Sequence, residues 1–585
     1  MVLLLVPAMV IVPVPTEAQT RLTPEQTAAL LFTLRITEEA PIVGNAGIDF
    51  DGFAGTDLQL DASSSSHNYG ETLLFAWTVV SQPSGSDIEL TNADTATPGV
   101  TPVLPGAYAF AVTVSDADGN QTVDTVLVNV TVPVPVPNVS AMLTQPVAGK
   151  PFAFDGSASY HEADLPFTYQ WSLLEQPIDS GLDPMLGTDP EIEVVFDQPG
   201  AYSLRLTVSD DNTSSYIDLE PFEVTLYDTI LLATGFDDAE FDQANKRIVT
   251  LLGRDLNLIS AGGQQSVIKL PLDGQAVSVS PDGGFAAVGH DGWVSHINLN
   301  TGEVLDTYSV PADVLDIVLD GNGMAHTFPG GQWVRGISVD TSTGQIINGT
   351  GTIRGNTRAK LHASGDRIYG ADNGLSPSDL ERYDLDPEDN SLNVAYDSPY
   401  HGDFPFCGDL WMHPAGELAL SRCRVVVRTT NTRESDLTFA MQLPEGASPR
   451  IRHASVNEFN NEWLIVDRAS NWVDSGIDSV RSVDAVTGIE RAQNSTPYQQ
   501  GLSGSRWTAM FVFGVADSAR HFVLAVDDVD DPQKYALLVS QSPSASDAAN
   551  LAPTARVQRY TSIRGQGLVR LDATASSDPE NQPLS

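Results

Sequence analysis

The sequence predicts an all-β protein in which β-sandwiches flank a seven-bladed β-propeller. Three observations support this. A repeat of roughly 90 residues, the size of one β-sandwich, occurs twice near the N-terminus. A second repeat of roughly 40 to 57 residues recurs about seven times further on. After about residue 34, helix signals nearly vanish, and short alternating strands are separated by Gly, Asn, Asp and Pro turns.

The composition restricts the classes of partner. The chain has 585 residues and 41% hydrophobic side chains, so several packed domains are expected. Asp and Glu number 76 against 30 Lys and Arg, which gives a net charge of −46. Binding to phosphates or to anionic lipids requires clustered cations, so nucleic acid and an anionic membrane surface are excluded as partners.

The N-terminal segment predicts export. Residues 1–18 are mostly apolar, too short for a membrane span, and fit a secretory signal peptide; a disordered apolar tail is the alternative. No later stretch is long enough to cross a membrane. Residues 19–40 form a short helical segment, opened by Thr23-Pro24-Glu25-Gln26 as a capping box. The expected location is therefore secreted or cell-surface.

The first repeat aligns residues 41–132 with residues 138–227 at one constant offset. Trp77 matches Trp171, the Pro-Gly-Ala-Tyr ending at Tyr108 matches the one ending at Tyr202, and Thr-Val-Ser-Asp occurs after both. Each tryptophan is the predicted core anchor. Each tyrosine is expected to send its hydroxyl back to the backbone of the preceding turn.

These linked motifs resemble the PKD family of immunoglobulin-like domains. The resemblance implies Ig-like sandwiches in a bacterial secreted or cell-surface multidomain protein, with PKD modules flanking the propeller. Residues 133–137, of alternating Val and Pro, are a predicted semi-rigid linker. Residues 551–585 start a third, truncated copy, so the sequence is expected to be a fragment.

Residues 228–545 carry the second repeat. Its clearest copy contains Ser280-Pro281-Asp282-Gly283, a hairpin turn at Asp291-Gly292 and a turn at Thr301-Gly302. These motifs resemble YVTN or WD40-like propeller repeats, although the Trp-Asp dipeptide of WD40 repeats is absent. Residues 229–234 are expected to supply a strand that closes the ring with the last blade.

Three groups of residues in this region are candidates for function. Cys407 and Cys423 flank a predicted hairpin and are expected to form a disulfide in an exported protein. An aromatic loop and the tryptophan beyond it form a candidate ligand loop, with packing between blades as the alternative: Tyr400, His401, Phe404, Phe406 and Trp411. Candidate calcium ligands, against which solvated acidic runs are the alternative, are Asp527, Asp528, Asp530, Asp572, Asp578 and Asn581.

The sequence contains no metalloprotease, nucleophile-elbow or phosphate-loop motif. A non-catalytic binding or adhesion protein is therefore predicted, with PKD modules as spacers and the propeller as a platform for an extracellular glycan or protein. Two alternatives remain: a secreted hydrolase or lyase whose carboxylates converge on the propeller, and a structural surface stalk. No cofactor is predicted apart from the candidate calcium.

Overall fold

The computed structural model describes residues 41–470, 476–500 and 502–541, together with the backbone of residues 558–560 and 570–572. The predicted signal peptide, the predicted helical segment 19–40 and most of the predicted third PKD copy lie outside the described residues. Every regular element in the described part of the chain is a β-strand, which confirms the all-β prediction. No helix among these residues is both long and apolar enough to cross a bilayer.

The chain divides into two compact units. One contains the first sandwich together with residues 160–167 and 210–214, and the other contains the rest of the second sandwich and the propeller. A short pair, β45 (Gln558–Tyr560) and β46 (Arg570–Asp572), is antiparallel.

The first sandwich is built on a four-stranded sheet in the order β2 (Phe50–Phe53), β8 (Gln121–Thr131), β7 (Gly106–Ser115) and β5 (Leu74–Ser81). Two small pairs join it: β1 (Ile42–Val43) with β4 (Ser66–His67), and β3 (Leu58–Gln59) with β6 (Gly99–Val100). Trp77 is buried in its core, and its indole Nε1 donates to Thr95 O at 3.2 Å. The Tyr108 hydroxyl donates to Leu104 O at 2.8 Å, as the turn chemistry predicts.

The second sandwich repeats these features. Trp171 Nε1 donates to Asp189 O at 3.0 Å, and the Tyr202 hydroxyl donates to Gln198 O at 3.0 Å. Part of the predicted Val-Pro linker forms β9 (Pro135–Val136), which pairs with β11 (Tyr160–His161), so it contributes a strand as well as a connection. The strands are β9 (Pro135–Val136), β10 (Pro151–Asp155), β11 (Tyr160–His161), β12 (Thr168–Glu175), β13 (Met185–Gly187), β14 (Glu191–Val195), β15 (Gly200–Ser209), β16 (Ser214–Asp218) and β17 (Phe222–Val224).

Seven antiparallel sheets follow within the described residues 227–541. The first three sheets are formed as follows: sheet one by β19 (Asp238–Asp242), β20 (Arg247–Leu252), β21 (Asp255–Ser260) and β22 (Gln265–Lys269); sheet two by β23 (Ala276–Val279), β24 (Phe285–Asn298) and β25 (Glu303–Asp313); and sheet three by β26 (Asp316–Leu319), β27 (Met324–Phe328), β28 (Ile337–Asp340) and β29 (Ile346–Asn348). Sheet four contains β30 (Arg358–Leu361), β31 (Arg367–Ala371), β32 (Leu380–Leu385) and β33 (Leu392–Asp397), and sheet five contains β34 (Leu410–Met412), β35 (Leu418–Ser421), β36 (Val425–Arg428) and β37 (Phe439–Gln442). Sheet six contains β38 (Ile451–Asn457), β39 (Glu462–Asp467), β40 (Ser479–Asp484) and β41 (Glu490–Ser495), and sheet seven contains β42 (Thr508–Gly514), β43 (His521–Val526) and β44 (Tyr535–Ser540), to which β18 (Tyr227–Leu232) is added.

The second sheet has three strands because β24 contains a tight reversal. Leu299 N donates to Gly284 O at 3.0 Å, and Gly292 has a φ of 77°, so the chain turns back at the predicted Asp291-Gly292 hairpin. The two halves of β24 thus take the places of the second and third strands of a four-stranded blade.

Two devices hold the ring of sheets together. Polar side chains of one inner strand accept hydrogen bonds from backbone amides of the next: Val277 N donates to Asp238 at 2.9 Å, and Ala359 N donates to Asp316 at 2.7 Å. Strand β18, which precedes the first sheet, pairs with β44 in the last one. The N-terminal end of the region therefore closes the ring, where the closing strand was expected.

Candidate functional site

One face of the propeller carries two exposed tryptophan side chains and a cluster of charged side chains. In an antiparallel meander, the first and third strands start at the same face at which the second and fourth strands end. The connections between successive sheets and the hairpins between the second and third strands therefore lie together. We call this the upper face, defined by the hairpins 291–292, 329–336, 372–379, 422–424 and 527–534 and the connections 349–357, 398–409 and 443–450.

Trp333 stands on this face with its ring in solvent. Its side chain is 55% exposed, and its φ of 60° lies in the left-handed region, which a bulky residue rarely adopts. The hairpin that carries it is tied down, because Gly355 N donates to Gln332 Oε1 at 2.8 Å and Ile353 N donates to Val334 O at 2.8 Å. A cost of about 1–3 kcal/mol is typical of such a backbone conformation, and such residues cluster at ligand sites.

A second tryptophan lies on the neighbouring blade. Trp293 directly follows the Asp291-Gly292 turn and is 40% exposed. The upper face thus presents two indole rings from successive blades.

Arg354 lies beside four carboxylates on the same face. Its guanidinium lies 2.7 Å from Asp397, 3.0 Å from Glu381, 3.2 Å from Asp372 and 3.8 Å from Asp379. Burial raises the pKa of Glu381 to about 7 and also raises the pKa of Asp372. The four carboxylates outnumber the single arginine beside them. Glu381 and Asp372 are buried behind Arg354, so a substrate cannot touch these two carboxyl groups in this conformation.

The predicted ligand loop divides into packed aromatics and one exposed histidine. The Tyr400 and Phe404 rings meet edge to face at 4.8 Å, and Phe406 is fully buried in the core of the fifth sheet. Trp411 is buried in a different cluster, against the His453 ring. Packing therefore accounts for these four aromatic side chains.

His401 is the exception, with 70% of its side chain exposed. Its Nδ1 lies 3.4 Å from Asp379 Oδ2 and 3.9 Å from Asp397 Oδ2, so the structure brings it to the Arg354 cluster. These three side chains place one nitrogen and two carboxylate oxygens within 4.8 Å of one another, which makes them a candidate group for holding a cation.

A disulfide joins Cys407 to Cys423, with the two Cα atoms 5.5 Å apart. Cys423 belongs to the hairpin 422–424, and Cys407 belongs to the connection 398–409. The bond therefore fixes the loop that carries His401 to the fifth blade.

The candidate calcium ligands are placed only in part. Asp527 is used to cap its own hairpin, because its Oδ1 accepts from the backbone of Asp528 at 3.0 Å and of Lys534 at 2.9 Å. Asp528 and Asp530 lie in the same exposed hairpin. Asp572 ends β46, whose side chains are not described, and Asp578 and Asn581 lie outside the described residues.

Each sandwich contains a histidine–aspartate pair that the sequence reasoning missed. His67 Nε2 lies 3.3 Å from Asp116 Oδ2, and His161 Nε2 lies 2.9 Å from Asp210 Oδ2. The two pairs are related by the offset that aligns the tryptophans, so the repeat itself held the signal. In the first sandwich, this pair and Glu71 line a cleft of about 210 Å³.

The hydrogen bonds of His67 argue against a metal in that cleft. Its Nδ1 accepts from the backbone of Tyr69 at 3.2 Å and of Glu71 at 3.3 Å, which leaves the proton of the neutral ring on Nε2, facing Asp116. A metal on Nε2 would move that proton to Nδ1, against two donors. His161 has the same arrangement, with Nδ1 accepting from Ala163 N at 3.1 Å.

A serine–histidine–aspartate group in the third sheet is also structural. His326 Nδ1 lies 2.9 Å from Ser338 Oγ, and His326 Nε2 lies 3.6 Å from Asp320. All three side chains are buried, and Ser338 Oγ also accepts from Leu392 N at 3.1 Å. Substrate cannot reach this serine.

Comparison with known proteins identifies a domain family for the first sandwich. Residues 46–132 match the family model described as "K319L-like, PKD domain". The first sandwich is PKD-like. No curated protein matches the sequence.

Two solved structures are similar to just over half of the chain. The β-propeller domain of Cps50 (Swd1) from Myceliophteria thermophila has 11% identity and a TM-score of 0.40, over 53% of this chain and 99% of its own. Hydrazine synthase from Kuenenia stuttgartiensis has 11% identity and a TM-score of 0.40, over 53% of this chain and 96% of its own. At this level of similarity, neither contributes to an argument about function.

Proposed function

We propose that this chain is a non-catalytic extracellular or cell-surface binding protein whose propeller binds a glycan or protein ligand at its upper face. The PKD-like sandwich and its repeat serve as spacers. The observation that carries the proposal is Trp333: a solvent-exposed indole on an anchored hairpin in a costly backbone conformation. Folding alone gains little from that arrangement, whereas a ligand that stacks on the ring would gain contact area at low entropic cost.

The geometry favours binding over hydrolysis. An acid or base catalyst must lie within hydrogen-bond reach of its substrate. Glu381, whose pKa is raised to about 7, is the carboxyl best suited to neutral-pH acid catalysis, but it is 4% exposed and its oxygens contact Arg354 and the Tyr383 hydroxyl. The group of Arg354 and its carboxylates is therefore better suited to holding a fixed charge pattern on a binding face than to serving as a pair of acid and base catalysts.

The test uses the full chain on glycan and peptide arrays, with every ligand that binds then assayed for turnover. Trp333→Ala is expected to weaken binding about tenfold or more, the loss expected of an aromatic anchor. The matched control is Phe459→Ala, because Phe459 is 64% exposed and lies in the β38–β39 connection on the opposite face.

Three outcomes would contradict the proposal. Turnover of a bound ligand would make the chain an enzyme. If no ligand binds saturably, the alternative function, a structural surface stalk, would be favoured. Equal loss of binding in both variants would move the site away from the upper face.

A further inference from the structure

The two sandwiches differ on the outward face of the sheet that carries the tryptophan. In the first sandwich this sheet packs Trp77 and Tyr108 inward, so the alternate residues of β5, β7 and β8 point to solvent. None of these outward residues is charged, in a chain whose net charge is −46. We call the following set the apolar face: Leu74, Ala76, Thr78 and Val80 of β5; Ala107, Ala109, Ala111 and Thr113 of β7; and Val123, Thr125 and Leu127 of β8.

The apolar face is a shallow trough with a floor of alanine. Ala109 and Ala111 form the floor on β7, which lies between β5 and β8 in the sheet, and both are more than nine-tenths buried. The larger residues on the two flanking strands remain more than half exposed: Leu74, Val80, Val123 and Leu127. An antiparallel strand that faces water usually carries polar residues outward, and a contiguous apolar patch on such a sheet marks a contact surface.

The second sandwich carries charge at the same positions. Arg205 of β15 takes the place of Ala111 in the repeat. The hairpin after β15 is one residue shorter than the hairpin after β7, so Asp218 of β16 takes the place of Thr125. Arg205 Nε lies 2.6 Å from Asp218 Oδ1, and its guanidinium stacks 3.9 Å above the Tyr216 ring.

This ion pair shows that the sandwich fold does not require an uncharged outward face. Covering the pair with another protein would strip water from two charges, which is costly. The second sandwich is therefore protected against association through this sheet, whereas the first sandwich lacks such protection.

We propose that the apolar face binds the same face of a second copy of this chain, forming a two-fold dimer. Sheets that pack face to face lie about 10 Å apart with their strands about 30° from parallel, so the leucine and valine walls of one copy lie over the alanine floor of the other. Two copies with a net charge of −46 repel each other, and this face brings them together without placing carboxylates in contact. The first charged outward residue of the sheet is Asp51, on β2 beyond β8.

The size of the face determines the strength of the dimer. Three strands about 4.8 Å apart, each with about eight residues at about 3.4 Å per residue, cover roughly 400 Å² in each copy. The pair of faces thus buries roughly 800 Å², less than the ~1,200 Å² at which stable complexes begin, so a reversible dimer with a dissociation constant of about 10 µM to 1 mM is expected. The inference concerns the first sandwich alone and does not depend on the proposed function.

The experiment is sedimentation velocity of the full chain without ligand, over a series of protein concentrations. Between about 0.1 M and about 1 M NaCl the screening length falls from ~10 Å to ~3 Å, which removes repulsion between the copies and should tighten the dimer about threefold or more.

Two variants test the apolar face itself. Ala111→Arg combined with Thr125→Asp gives the first sandwich the pair that the second sandwich already holds, and should weaken association about tenfold or more. Its melting temperature should stay close to that of wild type, because the same sheet accommodates this pair in the second sandwich. Leu127→Asn changes one exposed wall residue and should weaken association about threefold.

The matched control is Leu174→Asn, because Leu174 is an outward residue of β12 in the second sandwich and is 43% exposed. This variant should associate like wild type. A chain that stays monomeric at both salt concentrations would overturn the inference, and this is also the result expected if a different protein or another part of the chain covers the apolar face. Association that weakens with salt, that survives the double substitution, or that is lost equally in Leu174→Asn and Leu127→Asn would overturn it as well.

Discussion

The contact that seals the ring predicts a specific pH dependence of stability. Tyr227 on the closing strand β18 reaches across to β43, where its hydroxyl lies 3.0 Å from His521 Nε2, and both side chains are buried. Burial lowers the pKa of His521 to about 4, against about 6.5 in an unfolded chain. The folded state therefore requires this ring to be neutral.

The sign and size follow from linkage. A histidine with a lowered pKa in the folded state contributes stability that is complete above pH ~6.5 and is lost as the pH falls toward ~4. The difference of about 2.5 pKa units corresponds to a total of about 3 kcal/mol, most of it lost by pH ~4.5. Because the group is buried, solvent screening does not reduce this figure substantially.

The perturbation is His521→Leu, compared with wild type by urea unfolding at several pH values. At neutral pH the variant should be less stable by about 1–2 kcal/mol, because the Tyr227 hydroxyl loses its partner. That gap should close or reverse by pH ~4.5, since only wild type must protonate a buried histidine. Tryptophan fluorescence is a suitable signal, because most of the eight tryptophans lie in the propeller region.

Other titrating groups, including Glu381, remain in both proteins and cancel in the difference. Tyr227→Phe is the control: it loses the hydrogen bond but retains His521, so its pH dependence should stay close to that of wild type. A difference between His521→Leu and wild type that does not change with pH would refute the reasoning.

Three further predictions concern stability. Replacing both Cys407 and Cys423 by Ser opens a link over a sequence separation of 16, which should lower the unfolding free energy by about 3 kcal/mol in a thermal melt, and no change would contradict this. Trp171→Ala empties a fully buried core position and should cost about 3–5 kcal/mol, which denaturant unfolding of the second sandwich measures. Lys360→Met breaks the 3.4 Å ion pair with Glu240 across the ring; since Lys360 is 36% exposed, screening limits the cost to about 1 kcal/mol, and adding Glu240→Gln should recover most of it.

Much of the fold was predictable because its signals are local or periodic. The tryptophan and tyrosine positions follow from a repeat with constant offset, and each tyrosine bonds to a carbonyl only four residues back. The ring-closing strand was expected at residues 229–234, and β18 begins two residues earlier, at Tyr227.

The site was less accessible to sequence reasoning because its contacts join separate blades. Arg354 contacts carboxylates 18 to 43 residues away, and Arg424 meets Asp467 at a separation of 43. The aromatic loop stands out in the sequence because its aromatic residues, Tyr400, Phe404 and Phe406, pack in a hydrophobic cluster. The sequence does not single out Trp333, because neither its exposure nor its left-handed backbone can be read from its neighbours in the chain.

The central claim is that ligand binds at the upper face, and hydrogen–deuterium exchange of the full chain tests it most directly. The chain is compared with and without a saturating array ligand. The account predicts slower exchange in the hairpin 329–336 and the adjoining connection 349–357, with the sandwiches unchanged. Slower exchange confined to the sandwiches or to the opposite face of the propeller would contradict it.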